Sequence, residues 1–344
     1  EQITQFHMDI ASSIQKVTEE IMIKLARSIR KEFGIPNLCL AGGVALNCVA
    51  NGKILKEKIF DKIWIQPAAG DAGGSLGAAL ALWHIENGKE RLVNQNDDMN
   101  GSYLGAEFSQ EQIEYELKSI GANYEKFDYE NLIDKTATYL SNEKIIGWFQ
   151  GRMEFGPRSL GNRSILADPR SDKMQKNLNL KIKYRESFRP FAPSVLIEDL
   201  NEWFDMSTES PYMLLVADIN TKRKINISKN EENLFGIEKL NVKRSEIPAV
   251  THVDYSARIQ TVSKLKNKHY YDLILKFKEK TGCPVIINTS FNVRGEPIVN
   301  SPTDAFRCFM GTELDYLILG NFILDKKKQN KKLKLNYKEK FTLD

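Results

Sequence analysis

The stretch from Gly151 to Arg170 constrains the fold most, because one apolar run precedes it and a second lies near its end. Residues 145–149 lead into it and residues 164–167 lead out, a pattern typical of two strands joined by a loop. Pro157 favours a short helix within the loop. Guanidinium groups recognise phosphate and carboxylate oxygens, so an anion-binding loop is predicted, with a solvated basic surface loop as the alternative. The arginines of the stretch are Arg152, Arg158, Arg163 and Arg170.

The first hundred residues alternate helical and extended patterns. Apolar residues recur at steps of three and four over residues 3–33, which predicts a long helix. Residues 37–41 and 62–66 predict two short strands, each followed by a helix, at residues 44–56 and 76–86. The order α-β-α-β-α with glycine after each strand is typical of half of a nucleotide-binding α/β unit.

Two loops of this first unit carry candidate ligand contacts. Gly42 and Gly43 precede a helix, where backbone N–H groups can cradle a phosphate, and close helix–strand packing is the alternative. Asp71 is an isolated acid in a loop of small residues at the end of a strand. Such an acid can hold a metal ion or a ligand hydroxyl, and it can equally cap the following helix. The residues by themselves leave both alternatives open.

Basic and polar residues follow several apolar segments of the second half. Residues 88–110 are poor in apolar groups and predict a linker, and a second domain begins near Phe108. Four separate strand ends beyond this point carry basic or amide side chains. Because crowded cations repel each other without an anion between them, we expect these side chains to converge on one polyanionic ligand. The set consists of Arg158, Arg163, Lys183, Arg189, Arg258, Asn288, Ser290 and Arg294.

The composition argues against several other classes of protein. A length of 344 residues predicts two domains, and four cysteines without a CxxC pair predict reduced thiols in a cytoplasmic protein. A net charge of +4, from 49 basic and 45 acidic residues, is too small to argue for nucleic-acid binding. No apolar run approaches the ~20 residues of a membrane span. The oligomeric state stays open, a homodimer included.

Six motifs, met in order along the chain, resemble the nodulation-type O-carbamoyltransferase family. They read AGGVALN, PAAGDAGGSLGAA, GRMEFGPRSLGNRSILADPR, KYRESFRPFAPSV, HVDYSAR and NTSFNVRGEP. The resemblance implies an α/β protein whose first domain, residues 1–100, is the C-terminal half of an actin/Hsp70-like ATPase fold, related to the tRNA threonylcarbamoyl-transfer enzymes. It implies a YrdC-like α/β domain over residues 105–325, and residues 326–344 are predicted as a basic tail.

The resemblance also implies a reaction in two steps. The second domain of the family makes carbamoyladenylate from carbamoyl phosphate and ATP. The first domain then moves the carbamoyl group onto an acceptor hydroxyl of a sugar, an antibiotic or another small molecule, next to a metal ion. The family motifs imply contacts to carbamoyl phosphate and ATP for Arg158, Lys183 and Arg189, as catalytic residues, and for Arg258, Asn288 and Ser290, with Arg163 and Arg294 beside them.

The same resemblance implies the metal and adenylate contacts of the first domain. Asp71 is an implied metal ligand, and Gly42 and Gly43 are implied to face the adenylate. The implied metals are iron in the first domain and magnesium with ATP. Further ligands are expected from an upstream histidine pair, for which His7 offers no match. We therefore expect residues upstream of this chain to complete the metal site, and adenylate formation to be the step that this chain supports.

Two other functions are compatible with the same residues. One is synthesis of threonylcarbamoyl-adenylate from threonine and bicarbonate for tRNA modification. The other is a nucleotide- or RNA-binding module without catalysis, in which the arginines contact RNA phosphates and binding weakens steeply with salt.

Overall fold

The computed structural model describes residues 3–93, 97–334, 336–337 and 341, which form two sheets of unequal size. In the first unit, β1 (Asn37–Leu40) and β2 (Lys62–Ile65) pair in parallel as a two-stranded sheet. The prediction of alternating helices and strands is confirmed here, whereas the actin/Hsp70-like fold stays a prediction. The elements are α1 (Gln5–Phe33), β1 (Asn37–Leu40), α2 (Cys48–Lys56), β2 (Lys62–Ile65) and α3 (Ala72–Ala81).

The second unit is built on a mixed sheet of nine strands. Its elements are α4 (Gln110–Ser119), β3 (Glu125–Lys126), α5 (Tyr129–Ser141), β4 (Ile146–Phe149), β5 (Arg163–Ala167), α6 (Met174–Asn177), β6 (Ala192–Leu196), α7 (Leu200–Trp203), β7 (Leu215–Asp218), α8 (Lys229–Glu232), β8 (Ser256–Val262), α9 (Lys268–Thr281), β9 (Val285–Ser290), α10 (Pro302–Gly311), β10 (Tyr316–Leu319) and β11 (Phe322–Asp325).

The strand order in this sheet is β3-β11-β10-β4-β5-β9-β6-β8-β7. The pairs β4–β10 and β6–β8 are parallel, and the other neighbours are antiparallel. Every residue of β4, β5 and β6 is buried, because helices pack on the central strands: α9 on β6 and β9, and α10 on β4 and β10. Burial on both faces explains why these strands appear as unbroken apolar runs in the sequence.

Two predictions near the arginine-bearing segments are wrong in detail. No helix begins at Pro157, because the Leu160 N–H, which such a helix would use, donates to the Glu154 carboxylate instead. The strand predicted to end at Arg258 begins only at Ser256. Before it, the Asp254 carboxylate accepts from the Ser256 N–H and hydroxyl, a local bond that favours a turn.

Helix α2 connects the two units, since it packs against β7, the last strand of the large sheet. The Asn51 amide is fully buried and donates to the carbonyls of Ala45 and Leu214, at 2.8 and 3.1 Å. Gly52 allows the close approach: a Cβ there would lie 2.3 Å from the Val216 carbonyl oxygen. The first unit is therefore fixed next to the β7 edge of the sheet.

Helix α1 presents a row of apolar side chains to the surface, while Glu19 and Ala26 are its buried residues. Within the described part of the chain, no helix combines the length and the hydropathy of a membrane span. The exposed apolar residues of α1 are Phe6, Ile10, Ile14, Val17, Ile21, Leu25, Ile29 and Phe33.

Replacement of Gly52 by Ala tests the contact between α2 and β7. The added methyl group would overlap backbone, so we expect Gly52→Ala to lower the free energy of unfolding by about 1–3 kcal/mol. The matched control is Gly77→Ala in α3, where a Cβ would meet nothing within 4 Å and alanine should stabilise the helix by about 0.5–1 kcal/mol. Urea denaturation measures both, and equal stabilities of the two variants would contradict the contact.

Candidate functional site

The candidate site is a cleft of about 330 Å³ beside the strands β6, β8 and β9. It continues into a second lobe of about 350 Å³, and the two lobes share Arg185, Arg189 and Ser290. The first lobe also carries Arg158, Arg258 and Asn288, and the second also carries Lys183, Asn292 and Arg294.

Neighbouring strands bring these side chains together. Strand β6 lies between β9 and β8, so that Ala192 pairs with Asn288 on one side and Ser194 pairs with Gln260 on the other. Arg258 stands two residues before Gln260 on the same face of β8. The predicted convergence is therefore confirmed as geometry, although the contact of each residue with a ligand stays a prediction. The residues brought into the cleft are Arg158, Lys183, Arg189, Arg258, Asn288, Ser290 and Arg294.

A buried amide network lies beneath the cleft. Gln260 accepts hydrogen bonds at its Oε1 atom from the Ser194 hydroxyl at 2.6 Å and from the Asn288 amide at 2.8 Å. Its Nε2 atom donates to the Leu160 carbonyl at 2.8 Å. Gln260 thus ties β6, β8 and β9 to the arginine-bearing loop. Sequence reasoning missed this residue, and the available signal was a lone amide in an apolar strand two residues after Arg258.

Glu154 is a second residue that sequence reasoning missed. Its carboxylate oxygen Oε1 accepts the N–H groups of Leu160, Asn162 and Arg163 at 2.6, 2.8 and 3.3 Å. Burial raises the pKa of this carboxyl group, and the N–H groups of Asn162 and Leu160, with the charge of Arg163, oppose that effect. The loop that carries Arg158 is therefore folded around one buried acid. The available signal was an acid among the arginines of this stretch, which also contains Asp168.

Arg163 does not lie in the cleft, in contrast to the prediction. It is fully buried, and its guanidinium carbon lies 3.5 Å from the centre of the Phe149 ring. The guanidinium donates to the backbone carbonyls of Ala106, Gln150, Gly151 and Asn162. Spacing in the sequence does not show that this arginine differs from Arg158. The difference arises because β5 begins at Arg163, and every residue of β5 is buried.

The arginines of the cleft are held at an electrostatic cost. Burial lowers the pKa of Arg158, and burial together with a neighbouring arginine lowers the pKa of Arg185 and of Arg258 to about 10. Among the described residues, the Nε atoms of Arg158 and Arg258 and the Oδ1 atom of Asn288 have no hydrogen-bond partner. Buried polar atoms are rarely left unsatisfied, so these atoms indicate a place for a polar ligand.

Lys183 is 3% exposed and donates to four oxygens at the end of β9 and in the loop after it. These are the carbonyls of Ser290 and Asn292, the Ser290 hydroxyl at 3.1 Å and the Asn292 side-chain oxygen at 2.8 Å. Burial, followed by the charge of Arg185, lowers the pKa of Lys183 to about 7. This ammonium group therefore holds the loop and changes charge near neutral pH.

Glu186 pairs with two cations at the rim of the second lobe. Its carboxylate lies 3.0 Å from the Arg189 Nε atom and 3.4 Å from an Arg294 nitrogen. Both arginines lower the pKa of Glu186, after the hydrogen bond of its own backbone N–H. This pairing offsets part of the repulsion within the cluster.

The first unit approaches the cleft from the other side. Cys48 begins α2 and lies near enough to Arg158 and Arg258 to interact with both. A Cβ on Gly156 would lie 3.0 Å from the Pro67 carbonyl oxygen, so the loop with Arg158 contacts the loop with Asp71. Gly42 and Gly43 are exposed and do not line the cleft. The four cysteines are free thiols, as predicted.

Asp71 occupies the N-cap position of α3, but its side chain makes no capping hydrogen bond and is exposed. Within the described ranges, no group of three His, Cys, Asp or Glu residues could hold a metal ion. A single carboxylate is too few ligands for a protein metal site. By themselves the described residues do not complete a metal site, so the implied iron, with ligands from upstream of this chain, stays a prediction.

Two family models match this sequence. The carbamoyltransferase C-terminus matches residues 137–326, more than half of the chain and the whole of the cleft, and the carbamoyltransferase N-terminus matches residues 1–80. The chain belongs to the carbamoyltransferase family. The family resemblance predicted from the motifs is thereby confirmed.

Relatives of this carbamoyltransferase-family chain share most of its length. An uncharacterized protein of Synechocystis is 55% identical, covering 99% of this chain and 56% of the relative. The nodulation protein NolO of Bradyrhizobium diazoefficiens is 41% identical, covering 94% and 56%. The 3'-hydroxymethylcephem-O-carbamoyltransferase of Streptomyces clavuligerus is 30% identical, covering 89% and 52%. The chain spans about half the length of the curated relatives it matches.

Removal of the Glu154 carboxylate should destabilise the arginine-bearing loop. Glu154→Ala leaves three N–H groups without their acceptor, so we expect a loss of about 2–3 kcal/mol in the free energy of unfolding. The control is Glu125→Ala, which removes an exposed carboxylate paired with Lys328 and should change stability little. Urea denaturation compares the two, and an equally small effect of both variants would contradict the anchoring role.

Anion binding in the second lobe should take up a proton near pH 8. With a pKa of about 7, Lys183 is mostly neutral there, and a bound anion favours its charged form. At about pH 6 Lys183 is already charged, so uptake should fall towards zero. Calorimetric titration with sulfate, in buffers of different ionisation enthalpy, measures the number of protons taken up on binding. The same uptake at both pH values, or an unchanged uptake in Lys183→Met, would contradict the assignment.

Proposed function

We propose that the chain carries the part of an O-carbamoyltransferase that activates the carbamoyl group as carbamoyladenylate. Carbamoyl phosphate, ATP and one water react to give carbamoyladenylate, inorganic phosphate and pyrophosphate. Carbamate, released from carbamoyl phosphate by hydrolysis, attacks the α-phosphorus of ATP through an oxygen. The bond to the β-phosphate breaks, and pyrophosphate leaves with its electron pair.

The observation that carries this proposal is the meeting of Arg158, Arg189 and Arg258 in one cleft. They come from three separate segments, and four of the six motifs that predicted the family contribute residues to the two lobes. Both substrates are phosphate compounds, and together they would bring several negative charges into a site whose cations otherwise repel each other. The two connected lobes offer room for two phosphate groups.

Catalysis in this proposal consists of positioning and charge neutralisation. The guanidinium groups would bind the phosphate oxygens and stabilise the charge that develops on pyrophosphate. Asn288 and Ser290 would orient the carbamoyl group through hydrogen bonds, with the unpaired Asn288 Oδ1 atom accepting from its amide. No step in this proposal needs a side-chain nucleophile. Magnesium bound with ATP would supply additional charge neutralisation.

Transfer of the carbamoyl group to a small-molecule hydroxyl is the second step that we propose for the complete protein. The name of the Streptomyces relative, a 3'-hydroxymethylcephem-O-carbamoyltransferase, describes such an acceptor for that protein. The contact between the Pro67 and Gly156 loops brings the first unit close to the proposed adenylate site, which favours delivery between the units.

Exchange of labelled pyrophosphate into ATP, driven by carbamoyl phosphate, tests the proposal. We expect exchange in the unchanged chain and at least a hundredfold loss in Arg158→Ala, because a charge-assisted contact to phosphate disappears. The control is Arg152→Ala, since Arg152 belongs to the same stretch but is exposed and pairs with Glu107. Its exchange rate should stay within about twofold.

Absence of exchange in a folded sample would overturn the proposal. Exchange that requires threonine and bicarbonate in place of carbamoyl phosphate would support the tRNA-modification alternative. Equal losses in Arg158→Ala and Arg152→Ala would show that general charge, and not the cleft, is responsible.

A further inference from the structure

The chain returns to the cleft near its C-terminal end, beyond the region that the family model matches. That match ends at residue 326, and the sequence predicts a basic tail after it. Tyr337, however, is 3% exposed. Its ring fills the space beside Gly311, where a Cβ would come within 2.3 Å of the ring, and it lies edge-on to Phe341 at 5.2 Å. One aromatic side chain of this segment is therefore part of the core.

The Tyr337 hydroxyl connects the tail to the loop after β9. It donates to the Oε1 atom of Glu296 at 2.8 Å. The other oxygen of the same carboxylate accepts the Val293 N–H at 2.9 Å. The two oxygens thus join the tail and the loop through one side chain. Burial raises the pKa of Glu296, and the hydrogen bonds from Val293 and Tyr337 oppose that effect, while the Cys308 thiol adds a weaker contact.

The loop that Glu296 closes carries cleft residues. The Glu296 carbonyl accepts the Asn292 amide at 2.6 Å. The Asn292 side-chain oxygen then accepts from the Lys183 ammonium at 2.8 Å and from the Ser290 hydroxyl at 2.7 Å. A continuous series of hydrogen bonds therefore runs from the Tyr337 hydroxyl to the lobe that Lys183 and Ser290 line.

We propose that Tyr337 is a positioning residue for the anion cleft, which holds the 290–297 loop in its ligand-binding geometry through Glu296. The ring and the hydroxyl have separate tasks. The ring packs against Gly311, whereas the hydroxyl keeps the Glu296 carboxylate on the Val293 N–H. Without the hydroxyl, the half-buried Glu296 carboxylate loses one donor, and the nearby Lys183 ammonium becomes the competing partner. The cleft geometry would change although the fold stays intact.

The test replaces Tyr337 by Phe in the full chain, which keeps the ring and removes the hydroxyl. The matched control is Tyr129→Phe: the Tyr129 hydroxyl also donates to a carboxylate, that of Asp272 at 2.7 Å, but it connects α5 and α9 and lines neither lobe. Amide hydrogen exchange of residues 291–299 is the first readout. We expect at least fivefold faster exchange in Tyr337→Phe, and no change there in Tyr129→Phe.

Steady-state kinetics of the pyrophosphate exchange reaction are the second readout, and this readout rests on the proposed function. The KM for carbamoyl phosphate should rise about tenfold in Tyr337→Phe, equal to about 1.4 kcal/mol, while kcat changes less than twofold. A purely structural role would lower the melting temperature of both variants alike and leave the KM unchanged.

The two readouts separate the two proposals. If the unchanged chain exchanges no pyrophosphate, the proposed function fails, and hydrogen exchange still decides the role of Tyr337. Equal hydrogen exchange of residues 291–299 in Tyr337→Phe and in the unchanged chain would overturn the positioning role, whatever the activity.

Discussion

Repulsion among buried guanidinium groups is the constraint on which the cleft depends. Arg158 and Arg258 come from different segments and are both half-buried; burial lowers the pKa of each, and the charge of Arg158 lowers the pKa of Arg258 further. Such a cluster would separate if its side chains stood on mobile loops. The fold prevents this by placing Arg258 within β8, which is paired on both sides, and Arg158 on a loop closed around a buried acid. A site built in this way is preorganised for an anion.

Neutral amides and single acids hold the cations in place. Gln260 ties three strands to the arginine loop, Glu154 closes that loop, and Glu186 pairs with two arginines at the rim. Each of these side chains binds backbone groups or charged groups that would otherwise lack a partner. Lys183 acts on the opposite loop in the same way, with carbonyls as its partners. The free-energy cost of the cluster is thus offset by hydrogen bonds formed one layer below it.

Small residues determine how closely the two units approach. Gly52 lets α2 lie against the backbone of β7, and Gly156 lets the arginine loop lie against the Pro67 loop. Any larger side chain would separate the backbones, and Cys48 would then move away from Arg158 and Arg258. The connection between the units therefore depends on the two glycines, which have no side chain, as much as on the Asn51 hydrogen bonds.

The sequence by itself determined the family, the order of helices and strands, and the convergence of Arg158 and Arg258, because motif residues after apolar strands meet at a common edge of the sheet. It did not show that Arg163 is buried whereas Arg158 lines the cleft, since the strand register decides which side chain faces the core. Gln260, Glu154 and Tyr337 required the tertiary structure, because each acts through partners distant along the chain. Local pattern records which face of an element is apolar, whereas the partner of a buried polar group depends on how the elements pack.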